Sequence, residues 1–455
     1  MVNLTIDNKK IAAEGGTTVL KAALDNGIFI PYFCWHPTLS VSGNCRMCVV
    51  EVKGRPKLEV SCNLPVEEGL EVMTDTSQVR QARKDVLEFL LINHPLDCPI
   101  CDQAGECLLQ DYHFEYSGAP SRFKEQKVKR SKAVDIGRNV KLDNERCILC
   151  SRCVRFCAEI AKTHDLCIVE RGDASFVTAA PGRSLDNPYS MNTVDLCPVG
   201  ALTSKDFRFK KRVWLLKSTP SVCPKCSDGC PIWLDHADGT MYRWRPRGES
   251  TILCDVGRLS YKEWQPEARL HKPLVRQGDE LKEVSVEEAL EEVREILERY
   301  GPKGVIGAIS ARCSCEEIDA FVKKFPNSYG ACMVDNSFVA DNMIRKADTN
   351  PNTAYLEKLN VPFINRDVTG DILITADALS GDEIMNPPNF KWKAVVQITH
   401  NMAHVFPGAS VVLPRATFAE TSGTFVNFAG VVQKFEKAFE AKGEAKSVKE
   451  WIDKL

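Results

Sequence analysis

The chain has 455 residues, of which 44% are hydrophobic and 26% charged, with a formal net charge of −2. This composition is typical of a globular protein with room for about three or four domains. The nearly balanced charge gives no support to nucleic-acid binding. The chain starts without the apolar run of a signal peptide and contains no apolar stretch that could span a membrane. We therefore expect a soluble, cytoplasmic chain, with peripheral membrane association as the alternative.

Twenty cysteines in a chain without an export signal are the main anomaly of the composition. Cysteines in such chains serve metal binding or catalysis more often than disulfide bonding. Only Cys313, Cys315 and Cys332 lie beyond residue 254, and most of the others stand in clusters. The distribution therefore predicts several metal sites in the amino-terminal part of the chain.

The first cysteine set lies in a segment predicted to be a small sheet with one helix. Val2, Leu4 and Ile6 alternate as in a strand, and Thr17 or Thr18 can cap a helix. A loop then carries three cysteines, and a fourth follows a strand-like stretch at residues 49–60. Together they have the pattern C-x10-C-x2-C-x13-C: Cys34, Cys45, Cys48 and Cys62. Four thiolates suit a [2Fe–2S] cluster, although zinc is the alternative and the first gap exceeds that of plant-type ferredoxins.

The second set has the pattern H-x3-C-x2-C-x5-C: His94, Cys98, Cys101 and Cys107. A helix is predicted over residues 78–93, because its apolar residues recur at helical spacing, and it would end at His94 before Pro95. Three thiolates and one neutral imidazole could bind a [4Fe–4S] cluster. A structural zinc site is the alternative.

The third set begins with C-x2-C-x2-C-x3-C, the run of bacterial ferredoxins: Cys147, Cys150, Cys153 and Cys157. In two-cluster ferredoxins the fourth cysteine of this run binds the other cluster. A distant Cys197-Pro198 is present, but it lacks the second triplet of cysteines. The pattern predicts one [4Fe–4S] cluster held by Cys147, Cys150, Cys153 and Cys197, with Cys157 packed near Met191 and Val194 instead.

The fourth set has the pattern C-x2-C-x3-C-x23-C and again favours a [4Fe–4S] cluster over zinc: Cys223, Cys226, Cys230 and Cys254.

Beyond residue 273, a helix at 285–300 and apolar runs at 305–310, 371–376, 392–398 and 410–414 predict an α/β domain with buried parallel strands. The chain contains neither G-x-G-x-x-G nor G-x4-G-K-[ST], so no sequence signal for a nicotinamide, flavin or triphosphate site is present.

In order and spacing, these four sets resemble the ligand sets of the large iron–sulfur subunit (G type) of bacterial NADH-quinone oxidoreductase, or complex I. The resemblance implies an α+β multidomain fold. Its domains would be a β-grasp [2Fe–2S] ferredoxin (1–77), a His/Cys3 [4Fe–4S] domain (78–117), a bacterial-ferredoxin-like [4Fe–4S] domain (136–212), a small molybdopterin-oxidoreductase-type [4Fe–4S] domain (217–272) and an abridged α/β molybdopterin-oxidoreductase-like domain without pterin (273–455).

The tail S-V-V-L-P-R-A-T-F-A-E-T-S-G-T-F-V-N-F-A-G-V-V-Q is similar to the end of the pterin-type domain in the same family. The family places several hundred residues between the fourth cluster and this motif, whereas here residues 301–371 span most of the gap. The resemblance therefore implies a shortened form, as in soluble NAD(P)-linked hydrogenase or formate-oxidising complexes, including electron-bifurcating ones.

The implied function is electron transfer between an NAD(P)H-oxidising flavoprotein subunit with FMN and a second catalytic subunit, such as a NiFe hydrogenase. A thioredoxin-like [2Fe–2S] subunit is an implied further partner. The chain itself would hold one [2Fe–2S] and three [4Fe–4S] clusters, with no flavin, NAD, pterin or catalytic residue. The alternative is a peripheral-arm subunit of respiratory complex I that passes electrons from NADH toward quinone. Other classes are a self-contained hydrogenase or molybdopterin dehydrogenase and a zinc-rich scaffold.

Overall fold

A computed structural model of the chain describes residues 1–118, 120–301, 304–332, 338–364, 368, 370–377 and 392–455. These residues form two compact units, Met1–Leu215 and Leu216–Leu455. The finer division into five domains remains a prediction. Within the described ranges, none of the helices combines the length and apolar composition needed to cross a membrane.

Residues 1–77 form the predicted small sheet with one helix. Five strands of this segment lie side by side in the order Lys9–Ala13, Val2–Ile6, Glu71–Met73, Val49–Val52 and Glu59–Val60. The pair Val2–Ile6 and Glu71–Met73 is parallel and the other pairs are antiparallel. Helix Val19–Asp25 starts at Thr18, whose side chain accepts from the backbone N–H of Lys21. The strand-like stretch 49–60 is a hairpin rather than one strand, because the chain turns through Gly54 at a φ of 82°.

The rest of the first unit consists of short elements around long loops. The predicted helix at 78–93 is observed as Ser77–Leu91, with Thr76 as its N-cap. The later helices are Leu108–Tyr112, continued by a wider turn at His113–Ser117, Arg152–Arg155, continued by Phe156–Ile160, and Asn192–Leu196. The short strands are Val134–Asp135, Val140–Leu142, Leu166–Val169, Phe176–Ala179 and Leu202–Ser204, and single turns lie at Cys98–Ile100, Gly172–Ala174 and Val213–Leu215.

The second unit opens with an antiparallel sheet over residues 217–246, made of Lys217–Val222, Pro231–Ala237 and Thr240–Pro246. Helix Asp255–Leu259 and the turn Ser260–Trp264 follow. The core of this part is shared with the end of the chain, since Trp244 and Trp264 pack with Phe418. The turn Phe418–Glu420 and the hairpin Gly423–Val426 and Val432–Phe435 thus belong to the same packed body.

In the described parts of residues 273–455, seven strands form one sheet in the order Glu280–Glu283, Leu274–Gln277, Val411–Pro414, Ala394–Thr399, Ile372–Ala376, Val305–Ser310 and Ser328–Ala331. The four predicted apolar runs are confirmed as strands, and they pair in parallel. The predicted helix at 285–300 is observed as Val286–Tyr300, because Ser285 and Glu288 form a capping box. The other helices are Cys315–Lys324, Thr353–Lys358 and Val448–Ile452, with a turn at Met402–His404.

Candidate iron–sulfur sites

The four cysteines of the first set converge in the loop beside the five-stranded sheet. The Cys34 thiol hydrogen-bonds with the thiols of Cys45 and Cys62, and Cys62 also hydrogen-bonds with Cys48. The backbone N–H of Cys34 points at the Cys45 sulfur over 3.4 Å. These hydrogen bonds lower the pKa of Cys34 and raise the pKa values of Cys45 and Cys62. Thiols this close together suit a compact cluster that two irons share.

The second set lies on the loop that follows helix Ser77–Leu91. Cys98 is exposed, Cys101 is buried and Cys107 is half-buried. The charges of Cys98 and Cys101 both raise the pKa of Cys107, in addition to burial, so the three sulfurs lie near one another. Burial, together with nearby positive charge, lowers the pKa of His94 to about 4. His94 is therefore neutral at pH 7, the form that an imidazole needs to bind iron.

Two neighbouring segments pack closely against this loop. Gly200 stands against Cys101, because a Cβ on Gly200 would lie 2.3 Å from the Cys101 sulfur. Arg212 donates hydrogen bonds to the carbonyls of Cys101, at 2.6 Å, and Pro99. Gly105, at a φ of 90°, lies against the side chain of Trp214. Gly200, Arg212 and Trp214 therefore cover this loop, although they lie about 100 residues later in the sequence.

The third set surrounds one cavity. Cys147, Cys150, Cys153 and Cys197 all line it, together with apolar side chains such as Val177 and Leu202. Cys157 is absent from the lining of this cavity. The geometry supports the choice of Cys197 over Cys157, which sequence proximity alone would not favour.

Cys157 is fully buried and its sulfur accepts hydrogen bonds from the backbone N–H groups of Asp165 and Leu166. Burial and the carboxylate of Asp165 raise the pKa of Cys157 to about 12. This thiol is therefore protonated and inert at pH 7. The structure places it as a packed core residue.

The loop of the third set has the strained backbone that closely spaced ligands require. Leu149 and Ser151 flank Cys150 with φ angles of 54° and 62°. Such angles are uncommon for residues other than glycine, and they cluster at functional sites. Here they turn successive residues so that Cys147 and Cys150 face one cavity.

The fourth set lies mainly in the loop between strands Lys217–Val222 and Pro231–Ala237. All four of its cysteines are buried: Cys223, Cys226, Cys230 and Cys254. A Cβ on Gly257 would lie 3.0 Å from the Cys254 sulfur and 3.3 Å from the Cys223 sulfur. The two sulfurs therefore face the same small space, although the two residues lie 31 positions apart in the chain.

Segments from later in the chain hold the loop of the fourth set in place. Gln433 donates to the carbonyl of Gly229 over 2.6 Å, and Asn427 donates to the carbonyl of Asp228 over 3.3 Å. The backbone N–H of Lys346 hydrogen-bonds with the Cys226 sulfur. Gly229 has a φ of 67°, and a Cβ there would lie 2.1 Å from the side-chain oxygen of Gln433. The sequence gives no local signal for these contacts, which only the tertiary fold creates.

The donor sets fit iron–sulfur clusters. Burial raises the pKa values of Cys147 and Cys223, so a bound metal must supply the charge that keeps them as thiolates. Thiolate groups in buried, largely apolar cavities are the usual holders of such clusters. Among the described residues, no three Cys, His, Asp or Glu side chains lie close enough to hold a single metal ion. The ligand assignment itself remains a proposal.

The first and third sets lie in modules that pack directly on each other. Arg155 donates to the carbonyls of Cys34, over 2.5 Å, and Cys150, over 3.3 Å. Glu159 accepts from the backbone N–H of Ser40 over 2.8 Å. Sequence reasoning missed Arg155, although it stands within the cysteine run itself, in R-C-V-R at residues 152–155.

Four family models match segments of this chain. The 2Fe–2S iron–sulfur cluster binding domain matches residues 1–77, and the NADH-ubiquinone oxidoreductase-G iron–sulfur binding region matches residues 83–121. The ferredoxin-like domain of NADH-quinone oxidoreductase subunit 3 matches residues 137–203, and molybdopterin oxidoreductase matches residues 380–453.

Similar proteins extend the match across most of the chain. The NADH-quinone oxidoreductase G subunit of Rickettsia conorii is 38% identical over 370 residues, which are 80% of this chain and 54% of the relative. The chain is a relative of these G subunits. The G subunit of Streptomyces coelicolor is 41% identical over 331 residues, or 71% of this chain and 39% of the relative. The chain thus spans about half the length of the curated G subunits that it matches, or less.

Two further similarities concern a mitochondrial protein and a hydrogenase. NADH dehydrogenase [ubiquinone] iron–sulfur protein 1 of Solanum tuberosum is 39% identical over 338 residues, or 73% of this chain and 45% of the relative. A chain in the crystal structure of an NAD+-reducing [NiFe]-hydrogenase is 37% identical, with 47% of this chain and 91% of that chain covered at a TM-score of 0.42.

Proposed function

We propose that this chain is an iron–sulfur electron-transfer subunit that holds one [2Fe–2S] and three [4Fe–4S] clusters. The observation that carries the proposal is the contiguity of three of the cysteine sets within Met1–Leu215. Iron–sulfur clusters exchange single electrons, whereas hydride chemistry needs an organic cofactor such as a flavin. A chain whose cysteine loops pack against one another and that has no dinucleotide motif is suited to conduct electrons between partners rather than to oxidise a substrate itself.

The third cysteine set makes contacts with both the first and the second set. On one side, Arg155 contacts the carbonyls of Cys34 in the first set and Cys150 in the third. On the other side, Gly200 follows Cys197 by three residues and stands against the Cys101 sulfur of the second set. On these contacts we propose that electrons pass between the [2Fe–2S] site and the His94 site through the cluster of the third set.

A partner is needed at each end of such a chain, because clusters alone neither oxidise NAD(P)H nor complete a second reaction. We propose a flavoprotein with FMN that oxidises NAD(P)H, a thioredoxin-like [2Fe–2S] subunit, and a downstream catalytic subunit such as a NiFe hydrogenase. The short span between the fourth cysteine set and the stretch at residues 410–433 that resembles the end of a pterin-type domain favours such a reduced complex. The alternative is a place in an NADH-quinone oxidoreductase, which the names of the curated relatives favour.

Iron content tests the cofactor proposal. We expect the anaerobically purified chain to hold about 14 iron atoms, because four complete ligand sets would bind one two-iron and three four-iron clusters. We also propose that the chain holds no molybdenum. Elemental analysis checks both numbers, and stoichiometric zinc or molybdenum would contradict the proposal.

Activity of the isolated chain tests whether NADH oxidation needs a partner subunit. We expect the purified chain alone not to oxidise NADH, because it contains no dinucleotide-binding motif. Addition of a flavoprotein subunit with FMN should restore reduction of the clusters by NADH. The assay follows NADH:dye activity and cluster bleaching, and steady activity of the single chain would refute the proposal.

Replacement of His94 tests its role as a ligand. We expect His94→Cys to keep the cluster and to lower its midpoint potential, because a thiolate adds one negative charge where imidazole is neutral. The same logic explains the high potentials of Rieske centres, in which histidines replace cysteines. An EPR-monitored redox titration measures the shift. His113→Cys, on the following turn, is the control, and an unchanged or raised midpoint in His94→Cys would disprove ligation by His94.

A further inference from the structure

We propose that Arg155 is a positioning residue that joins the [2Fe–2S] site to the cubane site of the third set. It would fix the spacing of the two sites and raise both of their potentials through its positive charge. This inference rests on the proposed function, since it takes Cys34 and Cys150 as ligands of two clusters. It goes further by assigning a role to a residue that is itself no ligand.

The geometry of one guanidinium carries the proposal. One terminal nitrogen of Arg155 donates both to the carbonyl of Cys34, over 2.5 Å, and to the carbonyl of Cys150, over 3.3 Å. The other terminal nitrogen donates to the carbonyl of Ser40, and the inner nitrogen donates to the hydroxyl of Ser151 over 3.1 Å. The planar fork of a guanidinium can hold several acceptors in fixed positions at once.

Arg152, on the same helical turn, makes similar contacts with two residues that are next to proposed ligands in the sequence. Arg152 donates to the carbonyl of Trp35, over 2.6 Å, and to the carbonyl of Leu196, over 3.2 Å. Trp35 follows Cys34, and Leu196 precedes Cys197. Both arginines therefore link a backbone carbonyl in the first loop to a backbone carbonyl in the third module.

These contacts have two expected consequences for the clusters. First, the two cysteine loops stay at a fixed separation, so that an electron passes from one cluster to the other over a constant distance. Second, a permanent positive charge beside two anionic groups favours the reduced form of each, which carries one more negative charge. A lysine could keep the charge, but it cannot hold the same set of acceptors with a rigid fork.

The test compares Arg155→Gln and Arg155→Lys with the wild-type chain after anaerobic cluster assembly. We expect Arg155→Gln to make the reduction of each cluster about tenfold less favourable. For a one-electron couple this corresponds to a midpoint potential about 59 mV lower for each EPR signal. We expect Arg155→Lys to keep the midpoints but to weaken the spin–spin interaction between the two reduced clusters. Arg183→Gln is the matched control, because Arg183 donates to the carbonyl of Thr163 at the surface of the same module.

The outcomes separate this inference from the function on which it rests. Unchanged midpoints and an unchanged spin–spin interaction in Arg155→Gln would overturn the positioning role. If that variant loses iron from either site, Arg155→Lys decides, and a wild-type interaction in the lysine variant would overturn it. A wild-type chain without the two signals would instead contradict the proposed function itself.

Discussion

Replacement of Cys197 with alanine should remove one four-iron cluster or convert it to a three-iron form. Cys197 lines the same cavity as Cys147, Cys150 and Cys153, and its side chain is buried. Loss of one of four thiolates leaves one iron without a protein ligand. Iron content should fall by up to about four atoms per chain, given four irons in a cubane. Iron analysis and EPR of the reduced protein measure the effect.

Cys157→Ala is the matched control for this prediction. Cys157 lies four residues after Cys153, closer in sequence than Cys197, yet it does not line the cavity. We expect this variant to retain full iron content and to lose about 1–2 kcal/mol of unfolding free energy, the cost of a small buried side chain. Retained iron in Cys197→Ala together with lost iron in Cys157→Ala would show that the ligands are assigned in reverse.

The proposed ligand sets can be predicted from the sequence because cluster ligands lie at characteristic spacings. The runs around Cys98, Cys147 and Cys223 contain most of their ligand sets locally. Even the distant Cys197 can be chosen from the known division of ligands in two-cluster ferredoxins. The elements that carry these residues also follow from local patterns, such as the Ser285 capping box and the apolar runs of the parallel sheet.

Contacts between modules could not be predicted, because nothing in the local sequence encodes them. In the sequence, Arg155 is an ordinary charged residue on a short helix. Only the docking of the loop that begins at Cys34 gives it two acceptors from another module, the carbonyls of Cys34 and Ser40. Gly200 is likewise an ordinary turn residue after Cys197-Pro198. Its significance emerges only when the Cys101 loop is found against it.

The end of the chain gives a second example of this limit. The stretch that ends in T-F-V-N-F-A-G-V-V-Q resembles the end of a pterin-type domain, and the sequence predicts only a remnant of that domain. In the structure, Asn427 and Gln433 of this stretch bind the carbonyls of Asp228 and Gly229 in the loop of the fourth set. The stretch therefore has a structural role of its own, because it fixes a loop that carries three of the four cysteines.

Gly200→Ala should disrupt the second site, although Gly200 is no ligand. An added Cβ would lie 2.3 Å from the Cys101 sulfur and 3.1 Å from the Cβ of Gln103, well inside normal contact distances. A free thiol could rotate away from this methyl group. A thiolate bound to iron cannot, because the metal fixes its position.

We therefore expect Gly200→Ala to lose the EPR signal of the His94 site and up to about four iron atoms, the content of one cubane. The backbone of Gly200 does not require glycine by its φ angle, so steric overlap is the cause under test. Gly15→Ala is the matched control, because Gly15 also lacks a positive φ and its added Cβ would meet only Val2 at 3.9 Å. A wild-type signal from the His94 site in Gly200→Ala would show that the bound Cys101 lies elsewhere. That result would also remove the contact through which we connect the second and third sites.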